Sequence, residues 1–146
     1  MSENQEDRYD LNRFIEAQDT NYDDALSELR AGRKRSHWMW YVFPQLSGLG
    51  HSAMSYRYGI RSGEEARAYL GHPVLGRRLH ECVEAILAIE ALSAREILGS
   101  PDDLKLRSSA TLFAHVSPPG SVFEQILDKY YSSERDPKTI ELLGAR

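Results

Sequence analysis

Residues 72–87, with the sequence HPVLGRRLHECVEAIL, carry the longest amphipathic pattern of the chain. Their apolar side chains recur three and four positions apart, the spacing that places them on one face of an α-helix. Proline is well tolerated in the first turn of a helix, because no backbone N–H is needed there. The segment therefore predicts a helix that starts near Pro73 and forms the centre of the core. The predicted buried face consists of Val74, Leu75, Leu79, Cys82, Val83, Ile86 and Leu87.

Helix start and stop signals follow one another closely on both sides of this segment. Ser62 with Glu65 and Ser93 with Glu96 form the capping-box pattern. Ser-Pro and Asp-Pro pairs mark further helix starts, and glycines stand where helices end. Apolar spacing also predicts two short helices before residue 32, separated by the polar residues 19–21. For residues 38–43 a short helix is the preferred prediction and a buried strand is the alternative.

These signals predict an all-α fold, a single compact domain of about eight mostly short helices over residues 9–146. Residues 1–8 are polar and acidic and are predicted to form a flexible tail. A chain of 146 residues is long enough to bury roughly two-thirds of its unfolded surface. Neither a membrane span nor a secretory signal is visible, so we expect a cytoplasmic location without membrane contact.

Cysteine and histidine usage limits the chemistry of the chain. The only cysteine, Cys82, excludes an internal disulfide and a zinc site built from several thiolates. Because it shares the apolar face of residues 72–87, we expect it to be buried. The five histidines show no metal-binding spacing, and His72 before Pro73 is better explained as a helix cap or a surface group. We therefore predict no metal site and no cofactor.

The charge of the chain is unevenly distributed. Its net charge is −4, yet no acidic residue occurs between Glu28 and Glu64, where the run HWMWYVFPQ occupies residues 37–45. Aromatic rings can stack on a planar ligand, and arginine binds phosphate in a bidentate manner. The alternatives are a solvated basic face and aromatic packing in the core. The basic residues of this window are Arg30, Arg33, Lys34, Arg35, Arg57 and Arg61.

We interpret the window as one wall of a site for a small anionic ligand. The negative net charge disfavours nucleic acid as a partner. A second wall is predicted over residues 102–111, where a carboxylate, an ammonium group and a guanidinium lie close in sequence, although helix-end chemistry also explains them. Arg35 and Arg107 would bind phosphate or carboxylate, and Trp40 or Tyr41 would stack on a ring. The candidate ligand-binding residues are Arg35, His37, Trp38, Trp40, Tyr41, Gln45, Lys105 and Arg107.

Two further patterns carry less weight. The glycines at positions 48 and 50 fit a dinucleotide-binding loop, but that motif follows a parallel strand, and the predicted chain is helical. A plain turn is therefore predicted. The acidic residues of the helices do not select a catalytic pair by their spacing, so the catalytic residues stay unknown.

Several motifs resemble a bacterial family of unknown function with a mycobacterial member. They are RKRSHWMWYVFPQ at 33–45, GLG at 48–50, EARAYL at 65–70, HPVLG at 72–76, KLRSS at 105–109 and TLF at 111–113. The resemblance implies an all-helical fold. Family members are often labelled calpastatin, but inhibitory calpastatin segments are disordered, whereas this sequence is typical of a packed helical core.

The family also bears a distant likeness to helical ADP-ribose-processing proteins that cleave N-glycosidic bonds. This implies ADP-ribose or a related nucleotide as the ligand. If the protein is an enzyme, glycosidic cleavage or transfer is the first reaction to test. The likeness transfers no catalytic residue. The alternative hypothesis is a noncatalytic module that recognises another protein, through a flat exposed patch centred on Trp38 or Trp40 rather than a pocket.

Overall fold

The computed structural model describes residues 7–145, and helices dominate this part of the chain. The all-α prediction is confirmed. Within residues 7–145 the nearest approach to a sheet is one isolated parallel bridge between Leu46 and Ile60. The helices are α1 (Asn12–Arg30), α2 (Met39–Val42), α3 (Ala53–Tyr58), α4 (Gly63–Gly71), α5 (Leu75–Leu87), α6 (Ala94–Leu98), α7 (Asp102–His115), α8 (Val122–Tyr130) and α9 (Pro137–Gly144).

The sequence predicts a flexible tail over residues 1–8. The first six of these residues lie outside the part of the chain that the structure describes. At the end of this tail, the carboxylate of Asp7 accepts hydrogen bonds from the backbone N–H groups of Leu11 and Asn12, at 2.6 and 3.1 Å. Asp7 therefore belongs to the start of α1, because these N–H groups have no partner within the helix. None of the helices in residues 7–145 is both long and apolar enough to cross a membrane.

Helix α5 is the central helix that the sequence predicts. It packs against α1, α4 and α8, and the pKa of Cys82 on its buried face is raised to about 12 by burial. The helix starts at Leu75 rather than at Pro73, since His72 Nδ1 accepts the N–H groups of Val74 and Leu75 at 3.1 and 3.3 Å. His72 is thus a cap, as predicted.

A glycine permits the close packing of α4 and α5. A Cβ atom on Gly76 would lie 2.1 Å from the carbonyl oxygen of Leu70. That distance is far below van der Waals contact, so any larger residue forces the two helices apart. The glycine in the HPVLG motif therefore sets the approach of α4 to the central helix.

The prediction of two short helices before residue 32 is wrong, because α1 runs without interruption over 19 residues. The polar residues expected to break it make side-chain contacts instead. Asp19 pairs with Arg78 at 3.1 Å, and Asn21 Nδ2 donates to Tyr41 Oη at 2.5 Å. These partners come from distant segments, so the helix continues through a stretch that looks like a break in the local sequence.

Aromatic rings form a continuous row through the core. Tyr69 lies between Phe14 and Phe113, with ring centroids 5.1 and 5.5 Å away, and Phe113 reaches Phe123 at 5.4 Å. These separations fall in the range of favourable aromatic pairs. The row connects α1, α4, α7 and α8 into one core.

The C-terminal end of α5 receives its hydrogen-bond donors from α8. Lys129 Nζ donates to the carbonyl oxygens of Leu87 and Ile89, at 2.7 and 2.6 Å, and Tyr130 Oη donates to that of Ile86 at 2.6 Å. The last carbonyls of a helix have no partner within it, and a lysine there also complements the helix dipole.

Candidate functional site

The stretch without acidic residues between Glu28 and Glu64, the acid-free window, begins after Glu28 of α1. The carboxylate of Glu28 accepts hydrogen bonds from the backbone N–H groups of Arg35 and Ser36, at 2.8 and 3.0 Å, and from Trp38 Nε1 at 2.9 Å. Ser36 Oγ donates as well. Burial raises the pKa of Glu28, but these hydrogen bonds outweigh burial and lower it to about 2. Glu28 thus holds the basic segment after α1 in place.

Glu65 of α4 lies just after the second end of the window, which is Glu64, and is 0% exposed. Arg13 Nη2 lies 2.7 Å from Glu65 Oε2, and Arg61 Nε lies 3.1 Å from Oε1. Ser62 caps α4, yet Glu65 pairs with arginines instead of completing the predicted capping box. The remaining N–H groups of Arg13 also donate hydrogen bonds inside the protein. They donate to the carbonyl oxygens of Tyr9, Asp10, Arg57 and Gly59.

A depression of about 460 Å³ lies beside this ion pair and is lined by Arg13, Arg57 and Arg61. Three guanidinium groups suggest an anion site. However, Arg13 is saturated by internal acceptors, and Arg61 is bound to Glu65 and to the carbonyl oxygen of Tyr9 at 3.0 Å. Much of this positive charge therefore stabilises the fold.

A second cleft, of about 340 Å³, lies between the loop that follows α2 and helix α7; we name it the Trp40 cleft. Its position matches the pocket that the sequence predicts between the aromatic segment and residues 102–111. One wall is the segment from Trp40 to Gly50, and the opposite wall is α7. The start of α9 completes it. The polar and aromatic side chains that line it are Trp40, Gln45, Lys105, Ser108, Asp136 and Lys138.

Lys105 joins the two main walls of the Trp40 cleft. Its Nζ lies 3.7 Å from the centroid of the Trp40 ring, close enough for a strong cation–π contact. The same ammonium group lies 3.4 Å from Asp102 Oδ1, and Lys34 Nζ lies 2.9 Å from Asp102 Oδ2. One carboxylate thus serves two lysines, so Lys105 is only partly neutralised.

Asp136 contributes the carboxylate of the cleft. Its Oδ2 accepts hydrogen bonds from Ser108 Oγ at 3.0 Å, from the Thr139 N–H at 3.3 Å and from Thr139 Oγ1. Its own N–H donates to Thr111 Oγ1 at 2.9 Å. Asp136 is therefore the N-cap of α9, and α7 also fixes its orientation.

The profile of the family described as "Protein of unknown function (DUF1810)" matches residues 8–143. The chain belongs to this family. It is similar to the crystal structure of the conserved hypothetical protein Rv1873 from Mycobacterium tuberculosis, with 53% identity and a TM-score of 0.93 over 94% of this chain and 99% of that chain. Among curated proteins, no match to the chain is found.

The family resemblance inferred from the motifs is therefore confirmed for this DUF1810 chain. The calpastatin label finds no support in either comparison. The family is described as one of unknown function, and the mycobacterial protein is described as hypothetical. They establish the family and the fold, and they do not assign a ligand.

Three of the eight predicted ligand-binding residues of this DUF1810 protein line the Trp40 cleft: Trp40, Gln45 and Lys105. Trp38 and Tyr41 belong to the core, with 0% and 6% of their surfaces exposed. In this structure Trp38 has no surface to offer a ligand. The aromatic run is thus divided between packing and the cleft, and the core-packing alternative holds for most of it.

Neither of the two predicted phosphate-binding arginines lines the Trp40 cleft. Arg35 and His37 are exposed and lie outside the lining of the cleft. Arg107 donates to the carbonyl oxygens of Glu134 and Arg135, at 3.0 and 2.8 Å. Because both acceptors belong to the segment before α9, Arg107 anchors that segment instead of lining the cleft.

Sequence reasoning missed Ser108, Asp136 and Lys138 as residues of the cleft. The Asp-Pro pair at 136–137 predicts a helix start, which the structure has, but this pattern gives no sign of a cleft residue. Nothing local indicated that the same carboxylate faces Trp40 across a cleft. Among the described residues, no cluster of three or more histidine, cysteine or acidic side chains could hold a metal ion.

Proposed function

We propose that the protein binds a small anionic, nucleotide-like ligand in the Trp40 cleft. The observation that carries the proposal is the position of Lys105 Nζ, 3.7 Å from the centroid of a partly exposed Trp40 ring inside a concave site. An ammonium group and an indole ring at one position suit a ligand that combines negative charge with a planar or apolar portion.

The other side chains of the cleft support an anion of modest size. Lys138 is exposed and adds a second ammonium group, and Gln45 offers an amide that can donate and accept hydrogen bonds. Asp136 carries the opposing charge, so the lining residues alone leave one positive charge, and Asp102 and Glu141 beside the two lysines offset part of it. A cleft of about 340 Å³ is of the size that encloses small organic ligands.

The shape of this surface favours a small ligand over a protein partner. The protein-interaction hypothesis requires a flat exposed patch centred on Trp38 or Trp40. Trp38 is buried, and Trp40 lines a concavity. A protein partner would therefore have to insert a side chain into the cleft.

ADP-ribose and related nucleotides are the first ligands to test, and glycosidic cleavage or transfer is the first reaction. We place this activity in the cytoplasm. The cleft contains one carboxylate, Asp136, that could take part in acid–base chemistry. Binding is the primary proposal, and it does not depend on turnover.

Titration calorimetry with ADP-ribose, AMP, ribose 5-phosphate and inorganic phosphate tests this proposal. Lys105→Ala and Trp40→Leu should each weaken binding about 5- to 30-fold, since each removes a contact worth about 1–2 kcal/mol. Lys129→Ala is the matched control for Lys105. Lys129 also lies over an aromatic ring, that of Tyr130 at 5.4 Å, but outside the cleft. Tyr56→Ala removes a ring that is 72% exposed elsewhere and is the control for Trp40.

Both controls should leave the affinity unchanged. Intrinsic fluorescence gives a second readout, because the chain has two tryptophans and Trp38 is buried. Ligand-induced quenching should disappear in Trp40→Phe. The proposal fails if the wild-type protein binds none of these anions at millimolar concentration. It also fails if binding is indifferent to both Lys105→Ala and Trp40→Leu.

A further inference from the structure

We propose that Asp136 accepts hydrogen bonds from hydroxyl groups of the ligand, so that the ligand is a phosphorylated sugar or a compound containing one. This inference rests on the proposed function, because it names the class of anion that the Trp40 cleft selects. It assigns to Asp136 a role beyond that of a helix cap.

The carboxylate of Asp136 is held more firmly than capping requires. An N-cap side chain needs to accept one N–H group, here that of Thr139. Oδ2 also accepts the hydroxyl hydrogen bonds of Ser108 and Thr139, which come from two different helices. Carboxylates held by several donors are pre-oriented before a ligand arrives, which lowers the entropy cost of binding.

Helix α7 fixes the backbone beside this carboxylate as well. Arg107 binds the carbonyl oxygens of Glu134 and Arg135, and Thr111 accepts the N–H of Asp136. Arg107, Ser108 and Thr111 lie within five consecutive residues of α7, so one short stretch of this helix holds the whole segment. The predicted phosphate-binding arginine therefore acts as a support for the carboxylate.

The second oxygen of Asp136 retains its capacity to accept. Within residues 7–145, the hydrogen bonds to this carboxylate all end on Oδ2. Asp136 is partly exposed and belongs to the lining of the cleft. No described lysine or arginine forms an ion pair with Asp136 within 4.0 Å. The carboxylate thus presents negative charge and free lone pairs to the cleft.

Electrostatics then restricts the ligand. A phosphate placed against Asp136 would be repelled, whereas one placed toward Lys105 and Lys138 is attracted. The part of the ligand that faces Asp136 must therefore donate hydrogen bonds. Gln45 in the same cleft both donates and accepts, which suits a hydroxyl group better than an ammonium group, because an ammonium group cannot accept. Sugar hydroxyls on an anionic compound meet both requirements.

The decisive experiment compares ribose 5-phosphate with 2-deoxyribose 5-phosphate by titration calorimetry. The wild-type protein should bind the ribose compound at least tenfold more tightly. Asp136→Asn keeps a good N-cap residue but turns an amide N–H₂ toward the cleft when its oxygen replaces Oδ2. This variant should lower the affinity for ribose 5-phosphate about tenfold and leave the affinity for 2-deoxyribose 5-phosphate unchanged. The discrimination between the two sugars is then lost. Asp128→Asn, outside the cleft and bonded to Ser133 at 2.7 Å, is the matched control.

A purely structural role for Asp136 predicts a different result, in which Asp136→Asn weakens both sugars equally. That result overturns the inference, as does equal affinity of the wild-type protein for the two sugars, a comparison that needs no variant. The affinity could depend on Lys105 and Trp40 but stay the same when the sugar hydroxyl group is removed or Asp136 is replaced. That result would refute only this inference. If neither sugar phosphate, nor ADP-ribose, AMP or inorganic phosphate, binds, the proposed function fails as well.

Discussion

Glu65 and Asp136 are both held by several hydrogen-bond donors, but they differ in burial and in charge compensation. Glu65 is 0% exposed, and the guanidinium groups of Arg13 and Arg61 neutralise it. Asp136 is partly exposed, and its side-chain partners are hydroxyl groups and one backbone N–H. One carboxylate is paired within the fold, whereas the other keeps its charge at the surface of a cleft.

This difference separates charge that is compensated inside the protein from charge that stays available at its surface. The depression beside Arg13 is lined by three arginines, yet much of that charge is satisfied inside the protein. The Trp40 cleft has fewer cations, but Lys105 and Asp136 lie where a ligand could reach them. The number of basic residues is thus a poorer guide to a binding site than the partners of each polar atom.

The largest expected effect comes from Glu65→Gln. Removing one partner of a buried ion pair leaves Arg13 without compensation, which costs about 3–5 kcal/mol of the free energy of unfolding. Urea denaturation measures this change. Glu64→Gln, at the exposed neighbouring position, should stay within about 0.5 kcal/mol of the wild type. A loss below about 1 kcal/mol in Glu65→Gln would show that the carbonyl acceptors of Arg13 are enough to stabilise its buried charge. The contrast between Glu65 and Asp136 would then not hold.

Glu28 is an intermediate case, and Glu28→Gln should cost about 1–2 kcal/mol at neutral pH, since its carboxylate accepts hydrogen bonds from three residues. The pKa of Glu28 in the folded protein is about 2, below its ordinary value of 4.5. Its stabilising contribution is therefore complete above about pH 4.5 and is lost as the pH falls toward 2.

The unfolding free energies of wild type and Glu28→Gln should accordingly converge on acidification. Urea denaturation at a series of pH values, down to the lowest at which both proteins fold, measures the convergence. Asp24→Asn, which removes an exposed carboxylate from the same helix, is the matched control. A gap between wild type and Glu28→Gln that stays constant down to pH 3 would contradict the assigned role.

The smallest effects on stability are expected at Asp136. Asp136→Ala removes the cap of α9 and should cost about 1 kcal/mol, whereas Asp136→Asn should cost only a few tenths. Thermal denaturation of the two variants measures both changes. A loss of 3 kcal/mol or more in Asp136→Asn would place Asp136 with Glu65 among the structural carboxylates, and the contrast between the two would disappear.

The parts of the fold that the sequence predicted are those with local signals. The apolar stripe of residues 72–87 and the reciprocal capping box of Ser93 and Glu96 are both present in the structure. The supposed break in α1 failed as a prediction, because Asp19 and Asn21 find partners 59 and 20 residues away. Local propensity cannot anticipate such partners.

The site was predictable only in outline for the same reason. Trp38 and Trp40 are two positions apart, yet Trp38 is buried against Phe43 while Trp40 lines the cleft, since their surroundings are set by tertiary packing. Asp136 meets Ser108 across 28 residues of sequence. The basic and aromatic composition located one wall of the cleft, and the carboxylate of the opposite side became visible only after folding.

The donors that complete the end of α5 have a consequence for synthesis on the ribosome. Lys129 and Tyr130 bind carbonyl oxygens that precede them by 40 to 44 residues. The last turn of the central helix is therefore synthesised before the side chains that cap it. Until residue 130 has emerged, the carbonyl oxygens of Leu87 and Ile89 depend on water, so the nascent helix should fray at this end and become fixed only when α8 docks.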